Sequence, residues 1–155
     1  MLVVAQGLIR GRSPAPRSDW PPRREEQVGR VLDFYDQVLA AHFAFEEQVL
    51  FPVAERELLR AAPLLAGLRR EHEEVRSRLD TLRADPTHDL DLRLPALGRL
   101  LERHVRQEER VLFEHLQREL SEETLDRIGT ELRARPTSGP SCLPRHLLPS
   151  EGHGD

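Results

Sequence analysis

One ten-residue pattern, His-x-x-x-Glu-Glu-x-Val-Leu-Phe, occurs twice in this chain, at residues 42–51 and at residues 104–113. In a helix, residues four apart lie on one face, so the histidine of each copy should lie above its first glutamate, Glu46 or Glu108. Two copies of an imidazole–carboxylate pair suggest two halves of one site. The repeat therefore predicts helices that carry polar groups on an otherwise apolar face.

Apolar residues recur at intervals of three and four along the chain, which is the period of an amphipathic helix. We expect helices over residues 1–10, from residue 23 or 24 to about residue 50, over residues 63–85, from a start between residues 91 and 95 to about residue 115, and over residues 122–134. Pro52 should end or kink the second helix, and Ser121 should cap the last one.

These elements predict an all-α fold, an up-down-up-down four-helix bundle with a short first helix. We assign residues 1–134 to this bundle. Residues 135–155 are rich in Pro, Ser and Gly, and we expect them to form a disordered tail.

The net charge, the length of the apolar runs and the cysteine count limit what this chain can bind and where it is found. The net charge of -4 gives no footprint for nucleic-acid binding, and the apolar runs are far too short to span a bilayer. No signal peptide is predicted, and the single Cys142 excludes a disulfide framework or a thiolate metal site within one chain. We therefore expect a cytoplasmic protein that binds neither nucleic acid nor membranes, and nothing in the sequence identifies a protein partner.

Three histidines should meet at one depth of the bundle. His42 lies ten residues before Pro52, and His72 lies nine residues after Pro63, so both should be about 14 Å from the turn between their helices, at ~1.5 Å per residue. His104 should reach the same layer from the last long helix. A single histidine on an apolar stripe is more often a satisfied core residue, so the metal prediction depends on this convergence.

The glutamates of the repeat strengthen the prediction of a metal site. A buried carboxylate is costly unless it is paired, hydrogen-bonded or bound to a metal. Imidazole and carboxylate together suit iron, manganese or zinc better than calcium or magnesium. Glu47 and Glu109 are expected to be solvated neighbours. The predicted metal ligands are His42, Glu46, His72, His104 and Glu108.

The two copies of the pattern, together with Glu71-His72, resemble the hemerythrin-like, or HHE cation-binding, domain over about residues 1 to 120. The resemblance implies a four-helix bundle that holds a non-haem di-iron centre and binds oxygen or senses iron or redox state. It also implies that the three histidines are terminal ligands, and that Glu46 and Glu108 bridge or cap the metals.

The chain departs from that family at two places. Arg76 stands where the oxygen-carrying members have a second histidine, four residues after the one that matches His72. The family also has a histidine on its first helix, and that ligand would fall at or just before Met1. Either the sequence begins after this ligand, or this member lacks it.

We therefore expect a non-haem iron protein that binds or senses oxygen, peroxide or iron, with one or two metal ions and with manganese or zinc as alternatives. No catalytic residue and no enzymatic activity are predicted. The alternative is a metal-free bundle that serves as a structural or protein-interaction module. A haem bundle with two axial histidines is less favoured. A ferritin-like oxidase is disfavoured because Glu-x-x-His is absent: the residues three before the histidines are Leu39, Arg69 and Leu101.

Overall fold

The computed structural model describes residues 1–11 and 20–135. These residues form five helices and no strand: α1 (Leu2–Arg10), α2 (residues 24–57), α3 (Ala62–Ala84), α4 (residues 90–119) and α5 (Glu122–Ala134). This confirms the predicted all-α bundle with a short first helix. Residues 136–155 of the predicted tail lie outside the described residues. No helix of the described part combines the length and the apolar character that a membrane crossing requires.

Helices α2 and α4 contain π-helical turns, in which hydrogen bonds reach one residue further than in an α-helix. The turns span Tyr35–Leu39 and Glu46–Leu50 in α2, and Glu108–Leu112 in α4. The first glutamate of each sequence repeat thus begins a π turn. Such turns are rare and are frequently found at functional sites.

The π turns change which residues face the core. The three-four spacing predicts that Val38 and Val49 point inward, but both are only partly buried. Instead, Leu50 is almost completely buried. Phe43 and Phe51 are also buried, as expected for core phenylalanines. Each π turn takes up one extra residue, so it rotates the following residues relative to a regular helix.

Of the two outcomes predicted for Pro52, an end or a kink of the helix, the first is wrong, because α2 continues to Glu57. A proline in a regular helix leaves a carbonyl unpaired and clashes with the residue four positions earlier. Here Pro52 follows the π turn directly, and the preceding Phe51 N–H donates to the carbonyl of Glu46. We attribute the continuity of α2 to this shift in hydrogen bonding. The proline lies where the regular pattern of backbone hydrogen bonds is already interrupted by the π turn.

Helix α4 begins at Leu90, one residue before the predicted window. Asp89 precedes it in the left-handed region, with φ of 48°. The carboxylate of Asp85 accepts hydrogen bonds from the backbone N–H groups of Thr87 and His88. This turn joins α3 to α4, and α3 ends at Ala84, one residue before the predicted end at residue 85.

Two separate apolar clusters make up the core. One lies among α1, the first half of α2, the second half of α3 and the first half of α4; its largest buried side chains include Leu8, Leu39, Phe43 and Leu79. The other lies among the remaining halves and α5, and includes Phe51, Leu65 and Phe113. Buried polar residues lie where these clusters meet: Glu46 in α2, Glu71 and His72 in α3, and His104 and Glu108 in α4.

Helix α1 packs against α4 at very short range. A Cβ atom added to Gly98 would lie 2.6 Å from the carbonyl oxygen of Ala5 and 2.8 Å from Cγ1 of Ile9. A Cβ atom on Gly7 would lie 2.6 Å from the ring of Trp20. These glycines allow α1 to lie close to its neighbours, and its first residues come next to the second sequence repeat.

Helix α5 begins as the sequence predicts. The hydroxyl of Ser121 accepts a hydrogen bond from the backbone N–H of Thr124 at 3.2 Å. The buried Ile128 of α5 belongs to the second apolar cluster, so α5 covers that end of the bundle.

Candidate metal centre

Four residues from three helices form a compact buried group. Glu46 comes from α2, His72 from α3, and His104 and Glu108 from α4; one ligand-type atom of each lies within 4.8 Å of the other three. All four are at most 2% exposed. The π turns of α2 and α4 begin at Glu46 and Glu108, so the same local distortion accompanies both carboxylates.

The nitrogen and oxygen atoms of this group converge. The Nε2 atom of His72 lies 3.2 Å from Oε2 of Glu46, and Nε2 of His104 lies 2.9 Å from Oε1 of Glu108. The two Nε2 atoms are 3.2 Å apart. Two imidazoles and two carboxylates thus direct potential ligand atoms at one small volume.

His42, the fifth predicted ligand, contacts the other oxygen of each carboxylate. Its Nε2 atom lies 3.0 Å from Oε1 of Glu46 and 3.9 Å from Oε2 of Glu108. It does not belong to the compact group of four. Each carboxylate therefore presents one oxygen to His42 and the other to the pair His72 and His104.

Several buried atoms of the cluster make no hydrogen bond: Nε2 of His42, both carboxylate oxygens of Glu46, and Oε1 of Glu108. Some lie within ion-pair distance of a neighbour, but not in the orientation of a hydrogen bond. Leaving a buried polar atom unpaired costs free energy, so such a cluster requires a further partner. A metal cation fits this donor set, since it accepts imidazole and carboxylate ligands at the same time.

A second carboxylate holds the outer nitrogen of His72. Oε1 of Glu47 lies 2.7 Å from Nδ1 of His72. Arg76 donates to both oxygens of Glu47, at 3.0 and 3.1 Å. Glu47 was expected to be solvated, but it is only partly exposed and is bound to the side chains of His72 and Arg76.

His104 has the same kind of partner. Oε2 of Glu71 lies 3.1 Å from Nδ1 of His104, while Nε of Arg103 donates to Oε1 of Glu71 at 2.8 Å. Glu71 was not among the predicted site residues. Its position immediately before His72 was the only signal, and adjacent helix residues face different directions. Glu109, in contrast, is exposed as expected.

The charges of the cluster shift its pKa values. Burial alone would lower the pKa of His104, but the nearby carboxylates of Glu108 and Glu71 outweigh it and raise the pKa to about 9. Burial would also lower the pKa of His42, but the carboxylates of Glu46 and Glu108 outweigh it and raise the pKa well above its ordinary value. Burial would raise the pKa of Glu108, but His104 and His42 hold it well below its ordinary value. Without metal, the carboxylates therefore favour protonation of His42 and His104, and an arriving cation would displace those protons.

Aromatic rings fix the position of the imidazoles. The ring of Phe43 stacks on His72 with 3.7 Å between centroids, and meets His104 edge to face at 5.5 Å. Phe51 lies parallel to His72 at a centroid distance of 5.7 Å. The phenylalanines of the first repeat thus form an apolar wall beside the polar group.

A cleft of about 240 Å³ reaches the cluster from the surface. Residues 1–3 line one side of it, and Val105, Glu108 and Phe113 line another. Glu108 is the member of the compact group that borders this cleft. A small molecule could therefore approach the cluster between the start of α1 and α4.

Comparison with known families agrees with this geometry. The family model described as the hemerythrin HHE cation-binding domain matches residues 10–126. This range contains both sequence repeats and all five predicted ligands. Searches of curated proteins and of solved structures found no match to the chain.

Proposed function

We propose that this chain, which belongs to the hemerythrin HHE cation-binding family, binds non-haem iron between its two apolar clusters and uses it to bind or sense oxygen or peroxide. The observation that carries the proposal is the set of buried atoms in His42, Glu46 and Glu108 that make no hydrogen bond. A plain structural bundle would gain stability by replacing these residues with leucine.

The donor atoms suggest how the metal would be held. His72 and His104 would supply two nitrogens on one side, together with one oxygen each from Glu46 and Glu108. His42 would supply one nitrogen on the other side, next to the remaining oxygens. Because each carboxylate faces both sides, the cluster has donors for two ions, with the richer set around His72 and His104. Bridging by Glu46 and Glu108 is part of this proposal.

Iron is favoured among the metals because a mixed imidazole and carboxylate set is typical of its non-haem sites, although manganese and zinc accept the same ligands. When bound, iron supplies a reversible change of oxidation state and a place for a small ligand. The chain would bury the ion, orient the imidazoles through their stacked phenylalanines and keep bulk water away. The cleft beside Glu108 is large enough to admit a diatomic molecule or peroxide.

The test is the metal content of protein that was produced in iron-supplemented medium. We expect bound iron by elemental analysis, and an absorption band in the near ultraviolet that changes on reduction. His72→Ala should lose most of the iron. His88→Ala is the matched control, because His88 is exposed and lies outside the cluster.

Wild-type protein that contains no metal and takes up none on reconstitution with Fe(II), Mn(II) or Zn(II) would overturn the metal-binding proposal. That result would instead favour the metal-free bundle. Protein that binds only zinc or manganese would keep the site and reject iron as its occupant.

A further inference from the structure

We propose that Glu47 and Glu71 are positioning residues, which hold the imidazoles of His72 and His104 in one tautomer with Nε2 directed into the cluster. Neither glutamate contributes an atom to the compact group of four. Each acts from behind a histidine, through the ring nitrogen that faces away from the group. The affinity part of this inference rests on the proposed metal-binding function.

The two contacts are built alike. Glu47 lies on α2 and holds His72 of α3, while Glu71 lies on α3 and holds His104 of α4. Each glutamate is anchored in turn by an arginine from the helix of the histidine that it holds. Arg76 lies one turn after His72 on α3, and Arg103 directly precedes His104 on α4. Two Arg–Glu–His chains thus join the three helices of the site in sequence.

This arrangement decides which ring nitrogen carries the hydrogen. An ionised carboxylate can only accept, so Nδ1 must donate in both contacts. In a neutral imidazole, Nε2 then presents its lone pair, and in these two residues it faces the other members of the cluster. The 3.2 Å between the two Nε2 atoms would bring two lone pairs together unless a cation or a proton lies near them. The outer glutamates therefore prepare the inner nitrogens for a metal.

The arginines explain why the glutamates remain in place. The side chain of Glu47 is 29% exposed and that of Glu71 is 11% exposed, so water competes for both. Arg76 binds both oxygens of Glu47, which fixes the plane of that carboxylate. On the inner side, Phe43 stacks on the ring of His72. The imidazole is thus restrained at its edge and on its face.

The first experiment compares the affinity for Co(II), a coloured probe, in Glu47→Gln, Glu71→Gln and Glu55→Gln, by competition with a chelator. Glutamine keeps the shape but removes the charge. Outer-sphere changes of this kind typically weaken metal binding about 10- to 100-fold, and we expect that loss in the first two variants. Glu55 is the matched control: it binds Arg69 across α2 and α3 but touches no imidazole. Equal affinity for Co(II) in the wild type and in all three variants would overturn the inference.

The second experiment uses metal-free protein, so it remains informative if no metal binds. Nitrogen-15 NMR of the imidazoles, recorded above pH 9 so that His104 is neutral, should show a protonated Nδ1 and an unprotonated Nε2 in both His72 and His104, with N–H protons shifted far downfield. The signal of His72 should move upfield in Glu47→Gln, and that of His104 in Glu71→Gln. An unprotonated Nδ1 under these conditions would reject the positioning role, whatever the metal result.

A general loss of structure is separated from loss of positioning by circular dichroism and thermal melting of each variant. If a glutamine variant does not fold, the wild-type NMR spectrum still decides the tautomer. Wild-type protein that lacks metal affinity but shows both Nδ1 protons would reject the proposed function and keep the structural part of this inference.

Discussion

At the scale of single residues, the cluster contains charged side chains at positions where apolar ones would pack at lower cost. Glu46 is completely buried, and neither of its oxygens makes a hydrogen bond. Its carboxylate lies 3.0 Å from His42, but a buried ion pair is often no more stable than apolar residues in its place, so packing alone does not require it. The position of Glu46 is therefore best explained by a ligand that is bound only in the folded protein.

Glu46→Leu should separate stability from metal binding. We expect the metal-free variant to be less stable than metal-free wild type by about 3–5 kcal/mol, because removal of one partner of a buried ion pair leaves the other, here His42, uncompensated. Addition of Fe(II) should raise the unfolding midpoint of the wild type and leave that of the variant unchanged. Urea denaturation in chelator and in Fe(II) measures both effects. A variant whose unfolding midpoint rises with Fe(II) as much as that of the wild type would contradict this account.

Gly98→Ala tests the close approach of α1 to α4. The added methyl group would meet the carbonyl oxygen of Ala5 at 2.6 Å, and a backbone atom in a helix cannot easily move aside. We expect a loss of about 1–3 kcal/mol in the free energy of unfolding, as is usual for overpacked cores.

Gly29→Ala is the matched control for Gly98→Ala. It also lies inside a helix, but a Cβ atom there would meet nothing within 4 Å. Alanine is favoured over glycine in a helix by roughly 0.5–1 kcal/mol, so this variant should be slightly more stable than wild type. Equal effects of the two substitutions in chemical denaturation would argue against close packing at Gly98.

At the scale of helices, the amphipathic pattern was sufficient to find all five elements, and the largest error is the end of α2, at residue 57 instead of about residue 50. It could not reveal the π turns, because an extra residue in one turn leaves no composition signal. The inward positions after the first π turn were therefore partly wrong, as Val49 and Leu50 show. The continuity of α2 beyond Pro52 likewise depends on bonding that the sequence does not display.

Some residues of the candidate site could be selected from the sequence, and others could not. Glu46, His72, His104 and Glu108 could be selected because they interrupt apolar stripes, and the structure brings them together. Their assignment as ligands stays a prediction, as does that of His42. Glu47 and Glu71 could not be selected, because their role depends on which side chain of the neighbouring helix they meet. That information comes from packing, and helical spacing does not contain it.

Ser121→Ala should loosen α5. The hydroxyl of Ser121 caps the helix through the N–H of Thr124, and removal of such a cap typically costs ~1 kcal/mol. Ser77→Ala, at an exposed position inside α3, should be neutral or slightly stabilising. Thermal melting gives the difference, and faster amide exchange in residues 122–134 would locate it. The same melting temperature in both variants would contradict the capping role.

At the scale of the whole molecule, the polar cluster divides the core. One apolar cluster contains α1 and the other contains α5, and α2, α3 and α4 contribute to both. In the absence of metal, the layer between them contains buried polar atoms that make no hydrogen bond. A metal held by three helices would strengthen the molecule at its weakest layer.

Metal removal should therefore lower stability in a localised way. A ligand present at 100 times its dissociation constant stabilises the folded state by about 2.7 kcal/mol. We expect chelation to lower the melting temperature, and to increase amide exchange most around residues 42–46, 72 and 104–108. Exchange that rises uniformly over all five helices would indicate that the cluster has no special role in joining the two halves.

The divided core has one further consequence. The two apolar clusters, one packed against α1 and the other against α5, can keep their internal packing while the polar layer between them becomes more or less rigid. Binding of a ligand at that layer would then need no change in the shape of the surface. It would change the rigidity of the molecule, and a partner could detect that change most readily at α1 or α5.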